Sequence, residues 1–269
     1  MKVVETAPAA RPEPPRVQAP AGSPHAEHVH LLEEDPDLGA GLSRPTFARA
    51  NELLRARVVA LGRGRIPPSN ADPASTFGLY VLSGLMGRRV RVGRAQATEL
   101  LGPGDILRPW YRAELLECAP AEIDWWVFQP ACLAILDEQI TRVIGRRPEL
   151  LVAFSSRLLH RERSGAYLRA VSHLSCVDEK VLVTLWHLAS RWGRVTPRGV
   201  ELSFRLTHEV IAEIVGSRRP TVTLALSRMR RGNILSRTAD GRVVLLGSPE
   251  DWHLARPQIL ARDERDARS

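Results

Sequence analysis

A cluster of arginine and hydroxyl side chains in the C-terminal third of the chain has the residue types that bind phosphates and base edges. Between positions 216 and 231 there are five arginines and no acidic residue. A guanidinium group donates paired hydrogen bonds to a phosphate or to guanine O6 and N7, and threonine reaches phosphates or thymine methyl groups. Helical spacing places Arg219, Thr223, Ser227 and Arg230 on one face. The pattern predicts a basic helical surface for a polyanion.

Two short helices joined by a tight turn are predicted to position this surface. Thr207 is a good N-cap for the first helix, and Gly216 ends it. Pro220 lies in the first turn of the second helix, where its missing N–H costs nothing. The one-sided charge of the second helix indicates a helix-turn-helix, with that helix in the major groove of duplex DNA.

A β-hairpin is predicted to follow the second helix. The segments Ile234-Leu235-Ser236 and 243–246 flank Asp240-Gly241, a pair typical of tight hairpin turns. A helix-turn-helix followed by a hairpin is a winged helix, and its hairpin arginines are expected to rest on phosphates. The residues predicted to lie at DNA are Thr207, His208, Ser217, Arg218, Arg219, Thr221, Thr223, Leu224, Ser227, Arg228, Arg237 and Arg242.

The rest of the chain is expected to supply an α+β framework for this module. A helix is predicted from Thr46 to Leu61, and short apolar runs separated by Gly and Pro then indicate an antiparallel β-domain. A second helix of the C-terminal part is predicted from Val177 to Trp192. The predicted parts are a disordered Pro-rich tail (1–45), the β-domain (46–130), a helical connector with a long dimerisation helix (131–173), the winged helix (174–250) and a charged tail (251–269).

An apolar seam in the long helix predicts self-association. Its members alternate at spacings of three and four, as in a coiled coil, so we expect two copies of the chain to pair here. A helix that packs on its own domain is the alternative. The predicted interface residues are Leu151, Phe154, Leu158, Arg161, Gly165 and Leu168.

Charge and cysteine usage restrict the class of protein. The 269 residues carry a net charge of +8, and all basic residues except Lys2 and Lys180 are arginine. GC-rich codon usage or a polyanionic partner would each explain this excess. No run of about 18 apolar residues and no signal peptide is present, so a cytoplasmic protein without a membrane span is expected. The odd, scattered cysteines Cys118, Cys132 and Cys176 fit a reducing compartment, and no redox role is assigned to them.

No catalytic or metal-binding constellation emerges, so neither an enzyme nor a cofactor is expected. The β-domain carboxylates Asp105, Glu114, Glu122 and Asp124 have no nucleophile–base pair or phosphate loop beside them. An iron–sulfur cluster would need a cysteine cluster, which the chain does not have. Weaker candidate ligands are the histidines His25, His28 and His30 for a metal, and His160, His173, Cys118 and Cys132 for haem.

The motif of residues 206–226, Leu-Thr-His-Glu-x-Ile-Ala-x-x-Val-Gly-Ser-Arg-Arg-Pro-Thr-Val-Thr-x-Ala-Leu, resembles the Crp/Fnr superfamily of bacterial transcription regulators. The resemblance is strongest over 174–247. It implies a β-roll sensor, a dimerising helix and a winged helix that reads a palindromic operator as a homodimer, with RNA polymerase as a possible further partner. It also implies that Arg219 contacts a base and that Thr207, His208, Thr221 and Thr223 contact or cap the backbone.

This chain departs from the family pattern in both domains. Pro220 and Leu224 replace a base-reading glutamate and arginine, so a different operator is expected, with Arg218 or Arg228 supplying contacts. After Asp105 the Gly-Glu-Leu turn and the later Arg-Ser-Ala run that hold a cyclic phosphate are absent, and we do not expect cyclic AMP to bind. Arg108 and Arg112 remain candidates for another anion. A protein-interaction module that does not read bases is the alternative function.

Overall fold

The computed structural model describes residues 28–66, 76–109 and 121–249. Within them, an antiparallel β-domain with short N-terminal helices comes first. Its elements are β1 (His28–His30), α1 (Leu31–Glu34), a 3-10 turn (Pro36–Gly39), α2 (Arg44–Leu53), β2 (Arg55–Leu61), β3 (Gly64–Ile66), β4 (Gly78–Val92), β5 (Ala95–Leu101), β6 (Ile106–Leu107) and β7 (Ala121–Leu136).

Two long strands organise the β-domain. The sheet has the order β1-β2-β7-β4-β5, with β3 paired to β7 and β6 paired to β4. β4 and β7 pair from Gly78–Leu136 to Val92–Ala121, and the register shifts around Gly84. Gly84 has φ +90°, and a Cβ there would lie 2.3 Å from the Pro130 carbonyl oxygen, so only glycine fits. Beyond this irregularity the β4–β5 hairpin extends towards the C-terminal domain.

Helices and a small sheet form the remainder of the described chain. The four-stranded sheet has the order β10-β11-β9-β8. Among the described residues, no helix is long and apolar enough to cross a membrane. The elements are α3 (Glu138–Gly145), α4 (Pro148–Ser172), α5 (Val177–Trp192), β8 (Gly193–Thr196), β9 (Gly199–Leu202), α6 (His208–Val215), α7 (Arg219–Arg231), β10 (Leu235–Arg237) and β11 (Val243–Leu245).

Apolar packing joins the two domains. The core of the C-terminal domain, built on α5, α6 and α7, also includes Leu85 and Leu100 from β4 and β5. The N-terminal core collects α1, α2, α3 and the start of α4, with Phe154 fully buried at its centre. Since the apolar surface of the β4–β5 hairpin is buried under the winged helix, separating the domains would expose it to water. The predicted α+β fold with an antiparallel β-domain and a C-terminal helix-turn-helix is confirmed.

The predicted N-terminal tail extends too far. From His28 onward the chain forms β1, α1 and a 3-10 turn, although 1–45 is predicted to be disordered. Leu31, Leu32 and Leu38 are buried in the N-terminal core. Pro36 starts the 3-10 turn rather than breaking it, as the fixed φ of proline allows. Residues 1–27 and 250–269, with most of both predicted tails, lie outside the described residues.

Two predicted helical stretches are partly strand. α2 ends at Leu53, and Val58 and Leu61 of the predicted helix lie on β2, which pairs with β7. β7 also continues to Leu136, where a helical connector from 131 is predicted. The end of β7 is an apolar run buried on both faces, for which periodicity does not separate strand from helix. In β2 the apolar residues Val58 and Leu61 continue the helical spacing of Leu54, which explains the other error. Helix α3 starts only after Asp137, whose carboxylate accepts a hydrogen bond from the Ile140 N–H at 3.0 Å.

The hairpin after α7 is correctly predicted, but its turn is longer than expected. The last pair of β10 and β11 is Arg237–Val243, which leaves 238–242 as the loop. Gly241 has φ +84°, a left-handed conformation that glycine adopts without strain. The Asp-Gly pair therefore belongs to a five-residue turn (238–242) instead of a two-residue one.

Candidate nucleic-acid interface

Local signals in the sequence fix the geometry of the helix-turn-helix. The Thr207 hydroxyl caps α6 by accepting a hydrogen bond from the Val210 N–H at 3.2 Å. Gly216 has φ +62° at the C-terminal end of α6, where the chain turns towards α7. Pro220 lies in the first turn of α7, as predicted. Because the apolar face of α7 is buried against the core, its opposite face points away from the protein.

The outward face of α7 is a basic surface with one apolar residue in it. Arg218, Arg219, Ser227 and Arg230 are exposed, and the Arg219 side chain is 68% exposed with Glu209 only at 3.9 Å. Leu224 is 59% exposed between these polar groups. Exposed guanidinium groups suit guanine edges and phosphates, and an exposed aliphatic side chain suits a thymine methyl group. The other predicted positions, Ser217 and Thr221, are half-buried at the start of this surface, and Thr207 is exposed.

A histidine connects the hairpin of β10 and β11, hereafter the wing, to α7. Arg237 on the wing lies 3.0 Å from His208 Nε2, and His208 Nδ1 lies 2.8 Å from the Thr223 hydroxyl. The Thr223 hydroxyl also donates to the Arg219 carbonyl oxygen at 3.0 Å. Burial, together with the charges of Arg237, Arg219 and Arg230, lowers the pKa of His208. The predicted site residues His208, Thr223 and Arg237 therefore form one connected group.

Two arginines predicted to lie at DNA are instead held by carboxylates of their own chain. Arg228 donates to both oxygens of Asp178 on α5, at 2.8 and 2.6 Å, and Asp178 is buried. The fork of Arg228 is therefore already used inside the domain, and its predicted base contact stays a prediction. Arg242 lies 2.6 Å from Glu201 and 2.7 Å from Asp240, so two carboxylates offset its charge. Arg237 is thus the wing arginine whose guanidinium contacts a histidine, and no carboxylate among the described residues pairs with it.

The β4–β5 hairpin is bound to α6 by a charged cluster. Arg89 donates two hydrogen bonds to Glu213 of α6, at 3.0 and 2.9 Å, and the Thr98 hydroxyl donates a third at 2.6 Å. The Arg89 guanidinium also lies 4.9 Å from the centre of the Trp126 ring. Glu213 is thus held by three donors from the β-domain, which fixes the first helix of the helix-turn-helix against the sheet.

Further ion pairs join the β-domain to α4 and α5. Arg161 donates to Glu99 at 2.6 and 2.8 Å, and Arg191 donates to the buried Asp105 at 2.5 Å. Burial would raise the pKa of Glu99, but the hydrogen bonds and charge of Arg161 hold it below its usual range. For Asp105 burial prevails over Arg191, and its pKa is raised. We call these contacts, together with the Arg89–Glu213 cluster, the junction.

Sequence reasoning missed the junction. Arg89 and Glu213 are 124 residues apart, and Arg191 and Asp105 are 86 apart. No periodicity or motif connects such distant positions, and the arginine excess hides them among the other basic residues. Between β5, α4, α5 and α6 lies a cavity of about 390 Å³, whose lining includes the arginines Arg88, Arg161 and Arg191, the carboxylates Glu99 and Glu213, and apolar side chains. These arginines already face Glu99 or Asp105.

The predicted dimerisation seam packs against its own chain instead of facing solvent. Phe154 is fully buried in its own domain, Leu158 and Leu168 pack on the cores of the same chain, Arg161 binds Glu99, and Gly165 lines the cavity. The seam residues therefore pack intramolecularly, as expected of a helix that packs on its own domain. Among the seam residues only Leu151 is substantially exposed. Helical periodicity locates an apolar face but does not tell which partner covers it. The outer face of α4 exposes Val152, Leu159 and Ala166 at intervals of seven residues.

The remaining candidate metal, haem and catalytic residues do not form a site among the described residues. Among the described residues, no group of three His, Cys, Asp or Glu side chains lies close enough to hold a metal ion. Burial raises the pKa of the Cys132 thiol, and His160 and His173 are exposed on or beside α4. Asp124 and Glu122 form ion pairs with Arg65 and Arg91. Candidates His25, Arg112, Glu114 and Cys118 lie outside the described residues.

Comparisons with known proteins agree with this architecture. A family model described as a Crp-like helix-turn-helix domain matches residues 179–249. The "Global nitrogen regulator" of Synechocystis sp. is 31% identical over 105 residues, which are 38% of this chain and 45% of that protein. The match to curated relatives thus spans less than half of their length, as it does for the Synechococcus elongatus protein of the same name.

Solved structures share the fold over most of the chain. A CooA mutant from Carboxydothermus hydrogenoformans aligns with a TM-score of 0.55 and 18% identity, over 80% of this chain and 93% of that one. FixK2 from Bradyrhizobium japonicum aligns with a TM-score of 0.56 and 15% identity, over 74% and 96%. At these identities the likeness concerns the fold, which combines a β-domain, a long helix and a helix-turn-helix.

Proposed function

We propose that this chain, whose C-terminal domain matches a Crp-like helix-turn-helix model, is a DNA-binding transcription regulator of the Crp/Fnr superfamily that reads a palindromic operator as a homodimer. The observation that carries the proposal is the outward face of α7, which is exposed, basic and free of acidic side chains. The same proposal places the protein in the cytoplasm, with duplex DNA and RNA polymerase as partners and no enzymatic activity.

Arg219 is the proposed base-reading residue of α7, hereafter the recognition helix. It stands at the first position of the helix, is exposed, and has only a distant carboxylate near it. Recognition helices present their N-terminal residues to base edges, and arginine pairs with guanine O6 and N7. Leu224, one turn further on, is proposed to contact a thymine methyl group. Arg218, Thr207 and the wing are proposed to contact phosphates on either side of this base.

The proposed dimer forms through the outer face of α4. Val152 is 65% exposed and Leu159 is 57% exposed in the single chain. With Ala166 they repeat every seven residues, which is the period of a two-stranded coiled coil. Pairing two copies along this face would present two recognition helices, and the half-sites of the operator would then lie about one helical turn apart.

The β-domain is proposed to work without cyclic AMP. The turn after Gly104-Asp105 lacks the Gly-Glu-Leu sequence, and Asp105 is committed to Arg191 of α5. Calorimetric titration of the full chain with saturating cyclic AMP should therefore release no heat of binding. Stoichiometric binding that tightens operator affinity would overturn this part of the proposal.

In vitro selection of duplexes from a random library tests the proposed function. The wild-type protein should enrich a palindrome, and Arg219→Ala should weaken its binding by about 1–3 kcal/mol and relax selection at one base position per half-site. Arg194→Ala, an exposed arginine on β8, is the matched control and should select the wild-type sequence. If Arg219→Ala binds DNA as the wild type does, a protein-interaction module becomes the better account.

A further inference from the structure

A continuous hydrogen-bonded chain runs from the wing to the first turn of the recognition helix. It passes from Arg237 to His208 at 3.0 Å, from His208 to Thr223 at 2.8 Å, and from Thr223 to the Arg219 carbonyl oxygen at 3.0 Å. Each link joins a different pair of segments, namely β10 to α6, α6 to α7, and one turn of α7 to the next. His208 is the only member that touches two other elements through its side chain.

The hydrogen-bond donors in this series of contacts determine which ring nitrogen of His208 carries the proton. A guanidinium group has no acceptor, so the contact with Arg237 requires a lone pair on His208 Nε2. In a neutral ring the proton is then on Nδ1, which donates it to the Thr223 hydroxyl oxygen. The Thr223 hydroxyl hydrogen remains available for the Arg219 carbonyl oxygen. All contacts are satisfied in one arrangement only, with a neutral ring in the Nδ1–H form.

We propose that His208 is a positioning residue of the DNA-binding surface, a neutral Nδ1–H imidazole that fixes the wing arginine Arg237 relative to the recognition helix. This inference rests on the proposed DNA-binding function. It gives His208 a role different from the direct backbone contact that the family resemblance implies. The side chain acts through Arg237 and Thr223 rather than on a phosphate.

The charges around the ring keep it neutral. Arg237 faces it from the wing, and Arg219 and Arg230 face it from the recognition helix. On α6 itself the neighbouring Glu209 lies beside Arg219, at 3.9 Å. Burial and the three cations lower the pKa of His208, because a protonated ring would lose solvation and meet like charges. Protonation would also convert Nε2 into a donor and break its contact with Arg237.

Nitrogen-15 spectra of the imidazole rings in the free, full-length protein test the proton assignment. His208 should show the Nδ1–H form, with Nε2 unprotonated, and should titrate below the ordinary histidine range. The Nδ1 of His30 lies 3.0 Å from the Asn51 carbonyl oxygen, so a second Nδ1–H ring is expected, and loss of one signal set in His208→Asn assigns the first. An Nε2–H ring or an imidazolium at neutral pH would overturn the proposal.

A double-mutant cycle on operator binding tests the positioning role. If His208 acts through Arg237, then His208→Ala and Arg237→Gln should each weaken binding by about tenfold, and the double variant should also lose about tenfold. Independent phosphate contacts would instead give a loss of about a hundredfold and contradict the proposal. His173→Ala, an exposed histidine after α4, is the matched control and should bind as the wild type does.

The pH dependence of binding gives a second readout, which separates a neutral positioning histidine from a charged phosphate contact. A neutral His208 takes up no proton on binding, so the affinities of wild type and His208→Ala should change in parallel between about pH 8 and about pH 6. A phosphate-bound imidazolium would make wild-type affinity rise relative to the variant as pH falls, which would refute the proposal. The proton assignment is measured in the free protein and does not depend on DNA binding. Absence of operator selectivity would therefore overturn the proposed DNA-binding function but not the Nδ1–H assignment of His208.

Discussion

At the scale of single residues, the role of an arginine in this molecule depends on whether a carboxylate faces it. Arg228 and Arg219 lie on the same helix, yet Arg228 is bound by the buried Asp178, whereas Arg219 is exposed. A bound guanidinium stabilises the fold, and an exposed one is available to a ligand. The same distinction separates Arg242 from Arg237 on the wing.

His187 provides a pH dependence of stability at this scale. Burial, with the charges of Arg191 and His160, lowers its pKa from 6.5 to about 4. Between these two pH values the unfolded chain binds a proton on His187 that the folded chain does not bind. The free energy of unfolding should therefore fall as the pH drops from about 6.5 to about 4. Because the ring is only partly buried, we expect a loss of about 1–2 kcal/mol.

Urea unfolding at several pH values measures this effect in wild type and in His187→Phe. Phenylalanine retains an aromatic ring beside Tyr167, whose centroid lies 4.8 Å from that of His187, but does not titrate. The variant should lose less stability than the wild type between about pH 6.5 and about pH 4. Parallel pH profiles of the two proteins would rule out this role for His187.

At the scale of elements, the β4–β5 hairpin connects the β-domain to the helix-turn-helix. It places Arg89 and Thr98 on Glu213 of α6, next to the turn that leads to the recognition helix. Ion pairs whose partners are largely removed from solvent are costly to break singly, because the remaining charge stays desolvated. Helix α4 contributes through two faces, with Phe154 inward and Leu159 outward.

Glu213→Gln tests the junction. The amide removes the negative charge while Arg89 stays half-buried, so the free energy of unfolding should drop by about 1–3 kcal/mol, and limited proteolysis should separate the two domains sooner. Glu209→Gln is a matched control on the same helix, since Glu209 is exposed, and its effect should stay within about 0.5 kcal/mol. Equal stabilities of the two variants would show that the junction contributes nothing.

Leu159→Glu tests the outer face of α4. Leu159 is exposed in the single chain, so the variant should fold, but a charge buried between the paired outer faces of α4 should dissociate the proposed dimer. Light scattering during size exclusion measures the mass. Val195→Glu is the control, because Val195 is 82% exposed on β8, away from α4. A Leu159→Glu protein that stays dimeric would place the interface elsewhere.

At the scale of the whole molecule, sequence predicts what local chemistry determines. Thr207, Gly216 and Pro220 each act within a few residues, so the helix-turn-helix is predicted closely. The direction in which Phe154 points and the pairing of Arg89 with Glu213 depend on the packing of distant segments, and no local pattern carries them. Leu31 and Leu38 are missed for the same reason, since their Pro-rich surroundings hide that they fill a core.

The net charge of +8 gains meaning at this scale as well. Arginines of the junction, such as Arg89, Arg161 and Arg191, face carboxylates and hold the domains together. On the outward face of the recognition helix Arg219 and Arg230 are exposed, and the helix itself carries no acidic side chain. Among the described residues, arginine thus serves an internal role at the junction and, as proposed, an external one at a polyanion.

Competition binding at a series of salt concentrations tests whether this protein reads DNA sequence. The full-length protein is titrated with its selected palindrome and with a random duplex of equal length. We expect the palindrome to bind at least about 10³-fold more tightly than the random duplex at physiological salt, and both affinities to fall steeply as salt rises. Equal affinity for the two duplexes would contradict the claim that this protein reads DNA sequence.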